Sequence, residues 1–196
     1  GGLMPPRDVL ARGVGNKLFF YHLGYALTIV AFYLLPLLLF KSENLLKLIK
    51  DFFSQRKSHY LISTFLIYLI YLLFFHDYSE ESLIGKGFIH KTAILFFQDI
   101  LFQKLFIYLS FFFSWIVILI YLSDSIKNKL ILSYFFLLSI GVFPLMQEYF
   151  DPLIILMAFT FFDTKFSLNY KKSIFLYSYL SVLLIFSNIY YYNLIN

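Results

Sequence analysis

Leu18–Phe40 reads LFFYHLGYALTIVAFYLLPLLLF and contains no aspartate, glutamate, lysine or arginine. That is longer than the roughly 20 apolar residues a helix needs to cross the hydrocarbon core of a bilayer. The dyad alternation of a lipid-facing barrel strand is absent from it. Further apolar runs follow at about Tyr60–Phe75, Leu105–Leu122, Leu130–Met146, Pro152–Phe162 and Ser173–Tyr190. In hydrocarbon every backbone polar group must find a partner within the protein, and a helix supplies these partners itself. The sequence therefore predicts an all-α fold: a polytopic transmembrane helix bundle of about six spans. Residues 1–196 read as a single transmembrane domain of a multi-pass integral membrane protein.

Composition supports this. Hydrophobic residues make up 61% of the chain and charged residues 14%, where a soluble domain carries about 25% charged. There are 27 phenylalanines and 17 tyrosines, more than a soluble core of this size holds. The net charge of +5 is what lysines in membrane-flanking loops give, so membrane lipid rather than nucleic acid is the expected contact. The absence of cysteine excludes disulfides and thiolate metal sites. His22, His59, His76 and His90 show no His-x-x-x-His spacing, so neither a metal nor another cofactor is expected. The first apolar run is too long for the core of a signal peptide. The chain opens without a methionine, which leads us to expect the C-terminal part of a longer protein.

Two of the runs are short for a crossing. Leu130–Met146 and Pro152–Phe162 can be read as spans or as a re-entrant hairpin. Gly141 and Pro144 should bend or end the first of them. Ser42–Lys57 differs from its neighbours. Leu45, Leu46, Leu48, Ile49, Phe52 and Phe53 fall at helical spacing, with Lys47, Lys50, Asp51 and Ser54 between them. This predicts an interfacial helix on the membrane surface, with Ser42 and Glu43 suiting its N-terminus. Thr92–Gln103 is a second interfacial candidate, with Thr92, Asp99 and Gln103 on one side.

With the N-terminus outside, ten lysines and arginines fall in inner loops and six in outer ones, the bias expected of cytoplasmic loops. Gly1–Lys17, His76–Lys91 and Gln147–Asp151 then share the outer face. The first of these holds Gly1-Gly2-Leu3-Met4-Pro5-Pro6-Arg7-Asp8. Glycines let backbone approach a ligand, prolines fix the path, and Arg7 offers a planar fork to phosphate or carboxylate. The competing reading is a connecting loop whose arginine meets lipid phosphate. Arg12-Gly13-Val14-Gly15-Asn16-Lys17 reads either as an anion nest or as anchoring of the first span. His76-Asp77-Tyr78-Ser79-Glu80-Glu81 is an acid/base or metal constellation, or a solvated loop. Gln147-Glu148-Tyr149-Phe150-Asp151-Pro152 places two carboxylates between apolar runs; they are either functional or part of an exposed turn.

Gly1-Gly2-Leu3, Asp8 and the following Lys17-Leu18-Phe19-Phe20-Tyr21 resemble a segment of the dolichyl-phosphate-glucose α-1,2-glucosyltransferase family, within the GT-C superfamily of membrane glycosyltransferases. In that family a Gly-Gly-hydrophobic loop with an acidic residue precedes a transmembrane helix. Glu148-Tyr149-Phe150-Asp151-Pro152 stands where the family has a Glu-Pro-Arg-Tyr motif, although its arginine has no counterpart here. Pro5-Pro6-Arg7 also departs from the family loop. The resemblance covers about a quarter of the chain. It implies a polyprenyl-phosphate sugar donor and a lipid-linked or surface glycan acceptor on the non-cytoplasmic face. It further implies Arg7 and Arg12 as phosphate ligands, Glu148 as a ligand of a sugar hydroxyl or of Arg7, and Asp8 in support. The catalytic carboxylate is expected upstream of Gly1. The rival reading is a non-enzymatic polytopic protein, either a transporter or an assembly subunit. A transporter should carry ionisable residues inside its spans, and the sequence shows chiefly His22 there.

Overall fold

The computed structural model describes residues 18–39, 45–76, 86–122, 125–141, 145, 151–162 and 169–195. All the regular structure among them is helical. In chain order the helices are α1 His22–Leu39, α2 Leu45–Ser54, α3 Arg56–Phe75, α4 Gly87–Phe96, α5 Ile100–Tyr121, α6 Ile126–Ser139, α7 Asp151–Thr160 and α8 Tyr170–Ile195.

Two described helices, α3 and α5, are long and apolar enough to cross a membrane, fewer than the six spans expected. They coincide with the predicted second and third runs. Helices α6 and α7 are 14 and 10 residues long, well short of a crossing at ~1.5 Å per residue. Helix α6 stops at Ser139, ahead of Gly141, as the sequence suggested.

The first run is the one most enclosed by protein. Tyr25, Ala26, Leu27, Ile29 and Val30 are each fully buried and Thr28 nearly so, which leaves α1 no exposed side over this stretch. A helix that is apolar all round lies in a protein core or spans a membrane, and here other helices cover it. Helix α1 is the central post, packed against α4, α5, α6 and α7. Gly24, Thr28 and Ala31, spaced i, i+4, i+7, are small and buried, so neighbouring backbone can come close.

Pro36 lies inside α1. Having no N–H, it cannot donate to the carbonyl of Phe32, which in apolar surroundings would be costly to leave unmet. The Tyr179 hydroxyl of α8 donates to that oxygen at 3.0 Å, and its ring stacks on Phe32 at 4.7 Å. A proline in one helix thus explains a tyrosine in another 147 residues away in the chain.

Side-chain pairs fix the helix directions. Along α3 and α5, the indole N–H of Trp115 donates to the Leu61 carbonyl at 3.2 Å and the Tyr108 hydroxyl to the Leu72 carbonyl at 3.2 Å. The two helices are therefore antiparallel. Along α1 and α3, Phe20 meets Tyr71 and Gly24 meets Tyr68, so these are antiparallel as well. The start of α1, the end of α3 and the first half of α5 consequently lie at one end of the bundle.

Two sequence expectations need correction. Thr92–Gln103 is not one helix: α4 ends at Phe96 and α5 begins at Ile100. Asp99 is extended at ψ 129° and its carboxylate accepts the N–H of Leu101. An aspartate with a backbone donor two residues ahead is a helix start, not part of a polar helix face. The Ser42–Lys57 amphipathic segment does form a helix over Leu45–Ser54, and it breaks at Gln55. Its stripe residues Leu48 and Phe52, however, are buried against protein; α2 packs on α3 and α5.

Candidate functional site

Arg7, Asp8, Arg12 and Glu148, the binding residues expected from sequence, lie outside the described residues, as do Asp77–Glu81 and Ser42–Glu43. What is described are the chain segments that flank the expected loops, and these come together. The N–H of Phe19, at the exit of the first loop, donates to the Ile140 carbonyl at 2.9 Å. The Tyr21 ring stacks on His76, at the exit of α3, with centroids 4.4 Å apart. The N–H of Lys86, at the entrance of α4, donates to the Leu145 carbonyl at 2.6 Å. The segments bordering 1–17, 77–85 and 146–150 thus meet at one end of the bundle.

That end is built from tyrosine, histidine and lysine. His22 opens α1 and is almost completely buried; its ring stacks on Phe19 and meets Tyr21 edge-on. One turn on, the Tyr25 hydroxyl is 3.4 Å from Nδ1 of His90 on α4. His76 places Nδ1 3.1 Å from the Tyr108 hydroxyl. That hydroxyl has one proton, which it donates to the Leu72 carbonyl; that carbonyl also accepts the His76 backbone N–H at 3.0 Å. The His76 tautomer with the proton on Nδ1 then satisfies both contacts. Tyr68 works in the same way on the other side. Its hydroxyl accepts the N–H of Gly24 at 3.1 Å and donates to the Phe20 carbonyl at 2.9 Å, which locks the first turn of α1 to α3.

Lys86 is the unusual residue. Its side chain is 2% exposed, whereas lysine is almost never buried unless partnered. Nζ lies 5.9 Å from the ring centroids of both Tyr21 and Tyr25, within cation–π range. Its backbone is left-handed at φ 66°, followed by Gly87 at φ 70°. A left-handed non-glycine residue costs on the order of 1–2 kcal/mol and persists only where its surroundings impose it. Here the imposing contacts are the Leu145 carbonyl and the aromatic pair. A second cation, Lys104 of α5, lies 5.8 Å from the Tyr108 ring.

From sequence, Lys86 and His76 fall in an outer loop, and His22 is the main ionisable residue inside a span. The missed signals were present: glycines on both sides of Lys86, and tyrosines one turn apart at Tyr21 and Tyr25. Chemically this end is rich in donors. Among the described residues no three histidines, aspartates or glutamates cluster as metal ligands. Lysine ammonium, tyrosine hydroxyl and imidazole together suit an oxyanion. No family model matches the chain, and no curated protein or solved structure matches it either.

Proposed function

We propose that the chain is a multi-pass integral membrane protein whose crossings include α3 and α5, and that it is the membrane segment of a GT-C-type glycosyltransferase. It takes a sugar from a polyprenyl phosphate and gives it to a lipid-linked or surface glycan on the non-cytoplasmic face. The observation that carries this reading is the convergence at one bundle end of the segments flanking 1–17, 77–85 and 146–150, lined by Lys86 and its tyrosines. A phosphate-bearing lipid needs cations beside an apolar wall, and this end offers both.

The chemistry is an inverting displacement. A carboxylate base takes the proton of the acceptor hydroxyl, the hydroxyl oxygen attacks the anomeric carbon, and the polyprenyl phosphate leaves with the bonding electrons. Arg7 and Arg12 bind the leaving phosphate and lower the barrier by matching its charge. Glu148 holds a sugar hydroxyl or orients Arg7, with Asp8 in support. The test is transfer of labelled sugar from synthetic polyprenyl-phosphate donors by the full-length protein in proteoliposomes. Time-dependent appearance of a labelled glycan is expected. Donor bound but never consumed would reject the enzyme.

One observation favours the rival reading of a carrier or assembly subunit. Lys86, His22 and His90 sit inside the helix packing, where a transporter keeps ionisable groups. Substrate uptake by the same proteoliposomes, without glycan formation, would decide for it.

A further inference from the structure

At the bundle end opposite Lys86, helix α2 turns at Gln55 into α3. Lys47, Lys50, Arg56 and Lys57 are all exposed there. The described carboxylate on this elbow is Asp51, also exposed, so basic groups outnumber it. On α2, Leu46, Lys50 and Phe53 are spaced i, i+4, i+7 and so share one helix face. Leu46 is 74% and Phe53 42% exposed. The apolar residues that the helix buries against protein, Leu48 and Phe52, lie on another face. One outward face of α2 thus carries a lysine between two apolar side chains, with Lys47, Asp51 and Ser54 exposed beside it.

The start of α6 lies at the same level. The Trp115 to Leu61 hydrogen bond aligns α5 and α3. From there α5 runs to Tyr121 and α3 runs back to Arg56, each about 7–9 Å along its axis. Helix α6 follows α5 after a short turn and exposes Ile126 and Leu130 beside the exposed Lys127. Tyr60, on the first turns of α3, is also largely exposed. Basic, apolar and aromatic side chains thus alternate around the ends of α3 and α5, the two helices long enough to span a membrane.

We infer that the α2–α3 elbow, with the start of α6, binds the headgroups of anionic phospholipids. Leu46 and Phe53 enter the acyl boundary, while Lys47, Lys50, Arg56 and Lys57 meet the phosphates of the same leaflet. This rests on α3 and α5 crossing the membrane and is independent of glycosyl transfer. Charge decides the partner. A second copy would bring its own cations against these cations, whereas exposed apolar and aromatic residues among cations at the ends of two membrane-length helices match the headgroup region of a bilayer.

Electron spin resonance of trace spin-labelled lipids in phosphatidylcholine vesicles holding the protein tests this. At low salt, labelled phosphatidylglycerol should associate at least about threefold more strongly than labelled phosphatidylcholine. The preference should fall toward parity at molar salt, where screening reaches within a few ångströms. It should fall equally in the Lys47→Gln/Lys50→Gln/Arg56→Gln/Lys57→Gln variant. The salt titration is made on the unaltered protein, so the test does not depend on that variant folding. Equal association of the two lipids at low salt would overturn the inference, as would a preference surviving in the folded variant. Absence of any immobilised lipid would remove the membrane-spanning reading along with it. Cross-linking of Phe53→Cys protomers to each other, without a lipid preference, would assign the face to a second copy.

Discussion

Gly24→Ala is expected to destabilise the bundle by about 2–3 kcal/mol, the upper range for forcing an extra carbon into a packed core. Gly24 sits where central helix α1 crosses α5. A Cβ built there would overlap the Phe111 ring and would lie 2.7 Å from its Cζ. Phe111 has no room to withdraw. It is fully buried, meets Tyr25 edge-on at 5.0 Å and lies against Tyr108 at 5.9 Å. The N–H of Gly24 also donates to the Tyr68 hydroxyl, so sliding α1 away from α5 would strain a second helix contact. Denaturation in detergent micelles should show the loss. The double variant Gly24→Ala/Phe111→Leu should lose less than the sum of its parts by about 1 kcal/mol or more, because the smaller side chain vacates the space. A Gly24→Ala protein within about 0.5 kcal/mol of the original would mean that α1 and α5 are not in this close contact.

Arg7→Ala and Glu148→Ala are each expected to lower sugar transfer by at least roughly tenfold, about 1.4 kcal/mol or more in the barrier, with folded protein retained. Both are charged, and each lies within a few residues of a proline. The nearest described segments on their two sides of the site, around Phe19 and Leu145, are tied to Ile140 and Lys86 at the same bundle end. If the two side chains share a phosphate-bearing substrate, losing either removes charge stabilisation that the other cannot replace. Arg7→Lys should recover only part of the rate, since an ammonium cannot reproduce the two parallel hydrogen bonds of a guanidinium. Unchanged transfer in both alanine variants would return Arg7 to lipid phosphate contact and Glu148 to an exposed turn.

Helical structure was legible from residue type alone, and the runs at Tyr60–Phe75 and Leu105–Leu122 foretold α3 and α5 to within a few residues. Length and apolarity do not distinguish lipid from protein as the surroundings, so the apolar run Leu18–Phe40 was legible but its place as the helix enclosed by its neighbours was not. The distinguishing signal was Gly24, Thr28 and Ala31 at helical spacing, which permits close packing. Asp99 was visible as a helix-starting residue but was read as part of a polar face. Leu48 and Phe52 show the converse problem. An amphipathic stripe specifies that something apolar covers it, and in α2 that cover is α3 and α5. The Lys86–Tyr21–Tyr25 grouping joins residues more than sixty positions apart, and no local pattern carries that information. The link between Pro36 and Tyr179 has the same character: the need for a donor at Phe32 is readable from the proline, but its source is set by tertiary packing.

Single-cysteine accessibility at Ser79 and Ser125 tests most directly the claim that the polar loops gather on one side of a membrane-crossing bundle. Ser79 belongs to the segment that joins α3 to α4. Ser125 caps α6 at the opposite end, its hydroxyl accepting the Asn128 N–H at 3.3 Å. With a membrane-impermeant thiol reagent applied to intact cells, Ser79→Cys should be labelled and Ser125→Cys should react only after the membrane is opened. Labelling of both from outside, or of Ser125→Cys alone, would contradict the claim.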